Sequence, residues 1–453
     1  MKVDDEHIAI KHLSTDLLKR RFWSREQLLA HQQVSLRAML RYAVDHSTYY
    51  RDSIGPLVDG QVPFREYPVL TKSELVRNFD RIVTDGRIKL TDTEAHLASE
   101  NAGRALFGEY RVCATGGTSG ERAVVVYDRS VWAAGIANLL RFLEIGGIKS
   151  NSRTIGIGAS SPQHLSNQVY DFLMRDSVAP RLFVTMPIAD VVAALNGFQP
   201  DVIITYPSYI RRLVDEQRQG RLRIQPSLLG SVAESLAPEL RELAGEVWGI
   251  DITNRYNSTE SFCVSMECKH FAGPHIPEDL LIYEAVDDRN RPVPNGVLGA
   301  KLLLTTLTNR VFPLIRYELS DVVRITDSPC ACGMPFARIS EIQGRQEEYL
   351  ALPGMNGDTV KLHAGQLRSP LIKMAGLRQY QFSLAPRGLE INVVMHERVD
   401  SASIAAQVRS EIAAVLTQNG VENVLVTVNL VDVIPRSGSG EKERLVAHPA
   451  PLH

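Results

Sequence analysis

The chain of 453 residues is 44% hydrophobic and 23% charged, a globular composition that excludes intrinsic disorder and fibrous repeats. At roughly 100–200 residues per domain, this length predicts two or three folded units. The 50 basic and 52 acidic residues give a net charge of −2, without the basic excess that favours nucleic acid binding. No apolar run approaches the ~18–20 residues of a membrane span, and the N-terminus is acidic where a signal peptide is basic. We therefore expect a cytoplasmic protein that binds neither nucleic acid nor membrane.

The first half of the chain predicts helices followed by a parallel sheet. Apolar residues at helical spacing over 13–51 predict amphipathic helices, and Thr71 with Glu74 three residues later predicts a capping box. From about 110 to 260, short β-rich runs alternate with helical patterns, as expected of βαβ units. The β-rich runs are 123–127, 154–157 and 202–205, and the helical patterns are 131–143, 165–173 and 207–219.

The second half predicts two further units. Strands joined by turns over 280–324 predict a mixed or antiparallel subdomain. The last hundred residues predict a compact α+β unit, with strands at 379–384, 389–396 and 423–430 and a helix at 401–416. The predicted fold is therefore α/β: a large N-terminal domain of several subdomains (1–344) with mostly parallel sheets, and a small α+β C-terminal domain (345–453).

A loop of small residues gives the sharpest local signal. It consists of Thr115, Gly116, Gly117, Thr118, Ser119 and Gly120. Glycines let the backbone approach an anion and hydroxyl groups supply donors, so the loop suits phosphate binding. It lacks the lysine pattern of a Walker A loop. Taken alone, a plain flexible turn explains it equally well.

Four later segments strengthen the phosphate interpretation. Together with the loop, and in this order, they resemble the motifs of adenylate-forming enzymes, the superfamily of acyl-CoA synthetases, peptide-synthetase adenylation domains and luciferases. The segments are Tyr256-Asn257-Ser258-Thr259-Glu260, the stretch 316–321, the stretch 344–348 and the stretch 435–444. Within the superfamily, the segment 67–75 and the residues 434–437 look like those of phenylacetate-CoA ligases and CapK-like proteins.

The resemblance implies roles for the motif residues. Thr115 to Gly120 would contact the β- and γ-phosphates of ATP, Glu260 would coordinate Mg²⁺, and Tyr256 would stack on adenine. Asn257, Ser258 and Thr259 belong to the same nucleotide-binding segment. Asp321 would accept hydrogen bonds from the ribose hydroxyls.

The resemblance implies further roles in the stretch 344–348, which is similar to the family's hinge motif, in the C-terminal domain and in the segment 233–235, which precedes Tyr256. Arg345 would face the ribose or phosphate, and Lys442 would reach the α-phosphate and the attacking carboxylate. Ala233, Glu234 and Ser235 resemble the segment beside the adenine and acyl group. The C-terminal domain would swing between two catalytic steps.

Some residues depart from the family pattern. Asn257 replaces the usual glycine, Glu121 and Arg122 follow the loop where a lysine is common, and Glu441 precedes Lys442 where relatives have glycine. These departures leave a non-catalytic nucleotide-binding relative open as an alternative.

Three of the five cysteines and a histidine have the spacing of a metal site. Cys268, His275, Cys330 and Cys332 supply three thiolates and an imidazole, a set that matches structural zinc. Some phenylacetate-CoA ligase relatives carry a similar arrangement. The alternatives are reduced structural cysteines, or Cys263 or His270 as competing ligands.

The resemblance implies ATP-dependent conversion of a carboxylic acid, which we expect to be aromatic, to an acyl adenylate with release of pyrophosphate, followed by transfer to coenzyme A. A carrier-protein thiol, an amine or another nucleophile remains open as the acceptor. The resemblance also makes a homodimer plausible.

Overall fold

A computed structural model of the chain describes residues 3–58, 60, 62–115, 123–149, 151–175, 177–355, 358–372, 374, 376–385, 388–395, 400–434 and 446–447. The first hundred residues are helical: α1 (Val3–Lys19), α2 (Arg25–His46), α3 (Thr48–Val58), α4 (Lys72–Arg77), α5 (Phe79–Ile82) and α6 (Leu90–Ala98). Ser24 begins α2 by accepting a hydrogen bond from the Gln27 amide, and Thr71 with Glu74 forms the predicted capping box at α4. Across these described ranges, no helix is both long and apolar enough to cross a bilayer.

A buried hairpin and a long helix follow: β1 (Arg111–Ala114), β2 (Val124–Tyr127) and α7 (Arg129–Ile145). The two strands are antiparallel, with Ala114 opposite Val124, and β2 is buried throughout. Asp128 caps α7 by accepting a 2.9 Å hydrogen bond from the Val131 amide. The hairpin therefore fixes the two ends of the segment 116–122, which itself lies outside the described residues.

The largest sheet has the predicted alternation of strands and helices. Its elements are β3 (Thr154–Gly158), α8 (Leu165–Leu173), β4 (Leu182–Phe183), α9 (Ile188–Phe198), β5 (Val202–Thr205), α10 (Pro207–Arg218), β6 (Leu228–Ser231), α11 (Pro238–Trp248), β7 (Ile252–Tyr256) and β8 (Ser265–Met266). The strand order is β4-β3-β5-β6-β7-β8, and only β8 runs antiparallel to its neighbour. One face of the sheet packs its apolar residues against α9, α10 and α11. The prediction of a mostly parallel sheet is confirmed.

Antiparallel strands come next, as predicted. They are β9 (Leu281–Val286), β10 (Lys301–Thr306), β11 (Tyr317–Leu319), β12 (Asp321–Thr326) and β13 (Arg338–Arg345). The strands β12 and β13 form a hairpin with Asp321 opposite Arg345 at its open end and Thr326 opposite Arg338 near its connecting loop. Two motif residues are thus neighbours because of strand register.

The C-terminal part contains β14 (Tyr349–Pro353), β15 (Thr359–His363), α12 (Ala364–Ile372), β16 (Leu377–Ala385), β17 (Gly388–Met395), α13 (Ser401–Gln418), β18 (Leu425–Leu430) and β19 (Val446–Ala447). The predicted strands and helix are confirmed to within a few residues. An apolar cluster of its own runs from Leu350 to Val426. This cluster is compatible with a division near residue 344, which stays a prediction.

Helix α12 joins the C-terminal part to the large sheet. The side chain of Ile372 is 7% exposed and belongs to the apolar cluster of α9, α10 and α11. Arg211 Nε donates to the Ile372 carbonyl at 2.9 Å, Arg368 Nη1 donates to the Ser235 carbonyl at 3.1 Å, and Ser369 Oγ donates to Glu239. The contact is small and mixes one apolar side chain with a few polar bonds.

Candidate functional site

Three predicted site residues meet at the carboxyl end of β7. Tyr256 is the last residue of that strand, and its hydroxyl donates a 2.9 Å hydrogen bond to Asp321 Oδ2. Arg345 Nε lies 3.6 Å from Asp321 Oδ1. Burial raises the pKa of Tyr256, so its hydroxyl remains a donor at neutral pH. Ligands of open α/β sheets bind at the carboxyl ends of the strands, where this cluster lies.

Glu260 lies beside this cluster, four residues after β7. Its side chain is 8% exposed, and the Tyr317 hydroxyl is 3.5 Å from Glu260 Oε1. Burial raises the pKa of Glu260, although the positive charges of Arg345 and Lys72 oppose this shift. Among the residues that the structure describes, no cation forms a salt bridge with Glu260. A buried carboxylate with free acceptor capacity suits a hard cation such as Mg²⁺.

The turn between Tyr256 and Glu260 is held by the β1–β2 hairpin. The Tyr127 hydroxyl of β2 donates to the Thr259 carbonyl, and the Ser261 amide donates to Ser258 Oγ at 3.1 Å. Asn257 Oδ1 is buried and has no hydrogen-bond partner. An unpaired buried acceptor costs free energy, so it favours a ligand that supplies a donor.

The described ends of the glycine-rich loop are joined to each other. The Thr115 amide donates to the Ala123 carbonyl at 2.9 Å, and the Ala123 amide donates to Thr115 Oγ1 at 3.1 Å. Strand β2 thus connects the loop, which ends at Ala123, to the Tyr256–Glu260 turn, whose Thr259 carbonyl accepts the bond from Tyr127 at the other end of the strand. The predicted phosphate-binding residues Gly116, Gly117, Thr118, Ser119 and Gly120 lie outside the described residues, as does Lys442.

The segment 233–235 follows β6 at the same sheet edge. Ala233 has a left-handed backbone (φ +69°), which costs about 1 kcal/mol for a residue with a Cβ. Both oxygens of Glu234 accept hydrogen bonds of 3.0 Å from Ser208, one from its amide and one from its hydroxyl. Glu234 therefore stabilises the start of α10, and the Ser235 carbonyl accepts a hydrogen bond from Arg368 of the C-terminal part. Their predicted contact with the nucleotide stays a prediction.

The four predicted zinc ligands come together. Their ligand atoms all lie within 4.8 Å of one another: Cys268, His275, Cys330 and Cys332. Cys268 Sγ is 3.7 Å from Cys330 Sγ, and Cys332 Sγ is 3.4 Å from His275 Nε2. Tetrahedral zinc with Zn–S bonds near 2.3 Å places sulfur atoms about 3.8 Å apart.

The histidine of this cluster is oriented for metal binding. His275 Nδ1 is 3.3 Å from the Phe336 carbonyl, which leaves Nε2 facing the sulfur atoms. Burial lowers the pKa of His275 to about 4, so the ring is neutral at pH 7. The competing residue Cys263 is buried in the central apolar cluster, apart from these four side chains.

Comparisons with known proteins place the chain. No protein-family profile matches it. It is 27% identical over 367 residues to phenylacetate-coenzyme A ligase of Thermus thermophilus, covering 76% of each chain. It is 27% identical over 389 residues to the phenylacetate-coenzyme A ligase of Escherichia coli, covering 80% of each. These matches support the adenylate-forming superfamily and, within it, the phenylacetate-CoA ligase-like branch that the motifs predict.

A solved structure of this superfamily shares the whole fold. A 2-hydroxyisobutyryl-CoA ligase in its postadenylation state superposes with a TM-score of 0.71, at 18% identity, covering 95% of this chain and 91% of that one. The same ligase in its thioesterification state gives a TM-score of 0.57. The arrangement of this adenylate-forming chain is thus closer to the first of those two structures.

Two residues of this candidate site received no role from the sequence. Tyr317 contacts Glu260, and Tyr127 holds the Thr259 carbonyl. Tyr317 lies inside the quoted segment 316–321, so the motif contained the signal. Tyr127 lies in a continuous apolar run, where nothing in the sequence separates it from a core aromatic.

Proposed function

We propose that the chain activates a carboxylic acid with ATP, forms an acyl adenylate with release of pyrophosphate, and passes the acyl group to coenzyme A. The observation that carries this proposal is the convergence of Tyr256, Asp321 and Arg345 beside Glu260. These residues come from three separate segments of the sequence. They meet at the sheet edge where α/β enzymes bind ligands.

In this proposal, each residue of the cluster acts on a particular part of ATP. Asp321, oriented by Tyr256 and Arg345, accepts hydrogen bonds from the ribose hydroxyls. The ring of Tyr256 supports the adenine, and the unpaired Asn257 Oδ1 is available to a donor on the base. Glu260 would hold Mg²⁺, which offsets the charge of the phosphates when bound.

The reaction needs charge compensation at the α-phosphate. A carboxylate oxygen of the substrate attacks the α-phosphorus, the bond to the β-phosphate bridging oxygen breaks, and pyrophosphate leaves. Negative charge on the attacking and leaving oxygens favours a cation nearby. We assign this role to Lys442, with Arg345 at the ribose side. The thiol of coenzyme A then attacks the acyl carbon and AMP leaves.

The acid is proposed to be aromatic because curated relatives are phenylacetate-coenzyme A ligases. Coenzyme A is proposed as the acceptor for the same reason. A carrier-protein thiol or an amine would give an identical first half-reaction, so product analysis with each acceptor separates them.

We also propose that Cys268, His275, Cys330 and Cys332 bind one structural zinc ion. The spacing of their ligand atoms and the neutral, oriented imidazole support this proposal. Cys330 and Cys332 lie in the loop between β12 and β13, whereas Asp321 and Arg345 lie at the other end of that hairpin. A strand of six residues is about 20 Å long, so the metal would brace the nucleotide site from a distance.

Replacing Lys442 tests the main proposal. Lys442→Ala should lower acid-dependent pyrophosphate release by roughly 100-fold or more, because a positive charge near the α-phosphate is lost. ATP binding should stay nearly intact. Lys361→Ala, which removes an exposed lysine from β15, is the matched control and should retain wild-type activity. Equal pyrophosphate release by wild type and Lys442→Ala would refute the role assigned to Lys442.

A further inference from the structure

Arg255 is a buried cation without a counter-charge. It precedes Tyr256 in β7 and is 6% exposed, and its Nε and Nη2 atoms have no hydrogen-bond partner. Within the described part of the chain, no carboxylate forms a salt bridge with it. The other described arginines that are equally buried are all bonded: Arg141 to Asp279, Arg316 to Glu284, and Arg338 to two backbone carbonyls.

An uncompensated buried charge is costly. Burial lowers the pKa of Arg255 to about 10, so the guanidinium still carries its charge at neutral pH. Arginine is almost never buried without a partner, because removing the charge from water costs several kcal/mol. The fold keeps this unpaired charge next to Tyr256, the residue that begins the turn to Glu260. An anion supplied from outside the chain would offset it.

The guanidinium lies on the sheet face opposite α9, α10 and α11. Strand register places Gly156, Ile204, Gly230 and Thr253 in one row across that face. Arg255 shares the face with Thr253, because side chains alternate along a strand. The guanidinium lies over Gly230, where an added methyl group would be 3.3 Å from Nη2. A larger residue there would require the guanidinium or another neighbour to shift by a few tenths of an ångström.

Space remains above the same face. Ile204 and Gly158 are only half-buried although they belong to central strands, whereas the Tyr170 ring lies over Gly156. A methyl group added at Gly158 would meet no atom within 4 Å. The sheet face is therefore open at Gly158, at the carboxyl end of β3, whereas Nε and Nη2 of Arg255 are fully buried.

The direction of the Arg255 side chain indicates which part of a ligand it would contact. Arg255 turns back over Gly230, which is level with Thr253, and so points away from the carboxyl end of β7. The Tyr256–Asp321–Arg345 cluster lies at that end. A substrate whose reacting carboxylate meets the nucleotide there would extend its far end toward Arg255.

We propose that Arg255 is a specificity residue that binds a second carboxylate at the far end of the acid substrate. The substrate class is then a dicarboxylic acid, with an aromatic or aliphatic spacer. This inference rests on the proposed acyl-adenylating function. The two Arg255 nitrogen atoms without partners can pair with both oxygens of one carboxylate. A substrate with an apolar far end would leave the guanidinium unpaired, and the site would therefore discriminate against it.

The test compares matched acids that differ in the far group. Pyrophosphate release is measured with 4-carboxyphenylacetate against 4-methylphenylacetate, and with adipate against hexanoate. Wild type should have the higher kcat/KM with the diacid of at least one pair, by about tenfold or more. Arg255→Met should lower that diacid-to-monoacid ratio by at least about 100-fold, since breaking a buried ion pair is strongly unfavourable. Arg153→Met is the control, because Arg153 is exposed at the amino end of β3 and pairs with Asp201. It should leave the ratio unchanged.

The outcomes separate this inference from the proposed function. A wild-type preference for the monoacid in both pairs, or an unchanged ratio in Arg255→Met, overturns the role of Arg255 and leaves acyl adenylation intact. Absence of pyrophosphate release with every acid overturns the proposed function. The Arg255 site is then read from thermal unfolding: a diacid that raises the Tm of wild type but not of Arg255→Met supports it, and equal Tm shifts overturn it. If Arg255→Met does not fold, Arg255→Lys replaces it, with a smaller loss of the ratio expected because lysine cannot pair bidentately.

Discussion

The hydrogen bond from Tyr256 to Asp321 gives the sharpest test of the nucleotide site. Tyr256→Phe keeps the aromatic ring and removes only the hydroxyl that donates to Asp321 Oδ2 at 2.9 Å. A hydrogen bond to a charged group contributes about 1.5–3 kcal/mol, which corresponds to roughly a 10- to 100-fold effect. Because Asp321 is proposed to bind the ribose, we expect kcat/KM for ATP to fall by that factor, with most of the change in the KM for ATP. Saturation with ATP in the pyrophosphate-release assay measures both constants.

A second tyrosine–aspartate pair provides the control. The Tyr110 hydroxyl donates to Asp85 at 2.6 Å, at the end of β1 away from the glycine-rich loop. Tyr110→Phe should lower stability by a comparable amount while leaving the KM for ATP unchanged. A KM for ATP within twofold of wild type in Tyr256→Phe would refute the reasoning. Equal increases of KM in both variants would do so as well, because they would indicate a general loss of stability.

Two further predictions concern Glu260 and the cysteine cluster. Burial raises the pKa of Glu260, so its ionised form destabilises the fold; the penalty is absent below the unfolded pKa and complete above the folded pKa. Glu260→Gln should therefore raise the Tm at pH 7.5 in the absence of Mg²⁺, and this gain in Tm should shrink as the pH falls toward 4. Pyrophosphate release should drop by roughly 100-fold. A lower Tm at pH 7.5 or retained activity would count against this. Cys332→Ser should abolish a zinc content of one ion per chain and lower the Tm by about 5 °C, whereas Cys263→Ser should keep the zinc; metal analysis that finds no zinc in wild type purified without chelator would contradict it.

The regular helices and strands of the fold could be predicted from the local sequence pattern. Strand β5 and helix α8 have the predicted bounds, because each is a short, strongly patterned segment between clear turn residues. Helix α12 was not predicted. It contains Pro370 and has a weak apolar pattern, and it is stabilised by packing in the C-terminal apolar cluster and, through Ile372, by contact with the sequence-distant cluster of α9, α10 and α11. Local propensity carries no information about such contacts.

The candidate site was likewise predicted only in part from the sequence. Motif order predicted Tyr256, Glu260, Asp321 and Arg345, which the β12–β13 register and the end of β7 bring together. The contrast between Cys268 and Cys263 was left open by spacing, and burial in different clusters separates them. The unpaired state of Arg255 could not be predicted, because it depends on what every neighbouring strand fails to supply.

The contact of α12 with the large sheet sets the free energy needed to move the C-terminal part away from that sheet. Any displacement of the C-terminal part would return the buried Ile372 side chain to water, at a cost of about 1.5–3 kcal/mol. The three accompanying hydrogen bonds add about 0.5–1.5 kcal/mol each, net of their replacement by water, so the whole contact contributes roughly 3–7 kcal/mol. A ligand that prefers the displaced arrangement by roughly two to five orders of magnitude in affinity would therefore be needed to reverse the populations of the two arrangements.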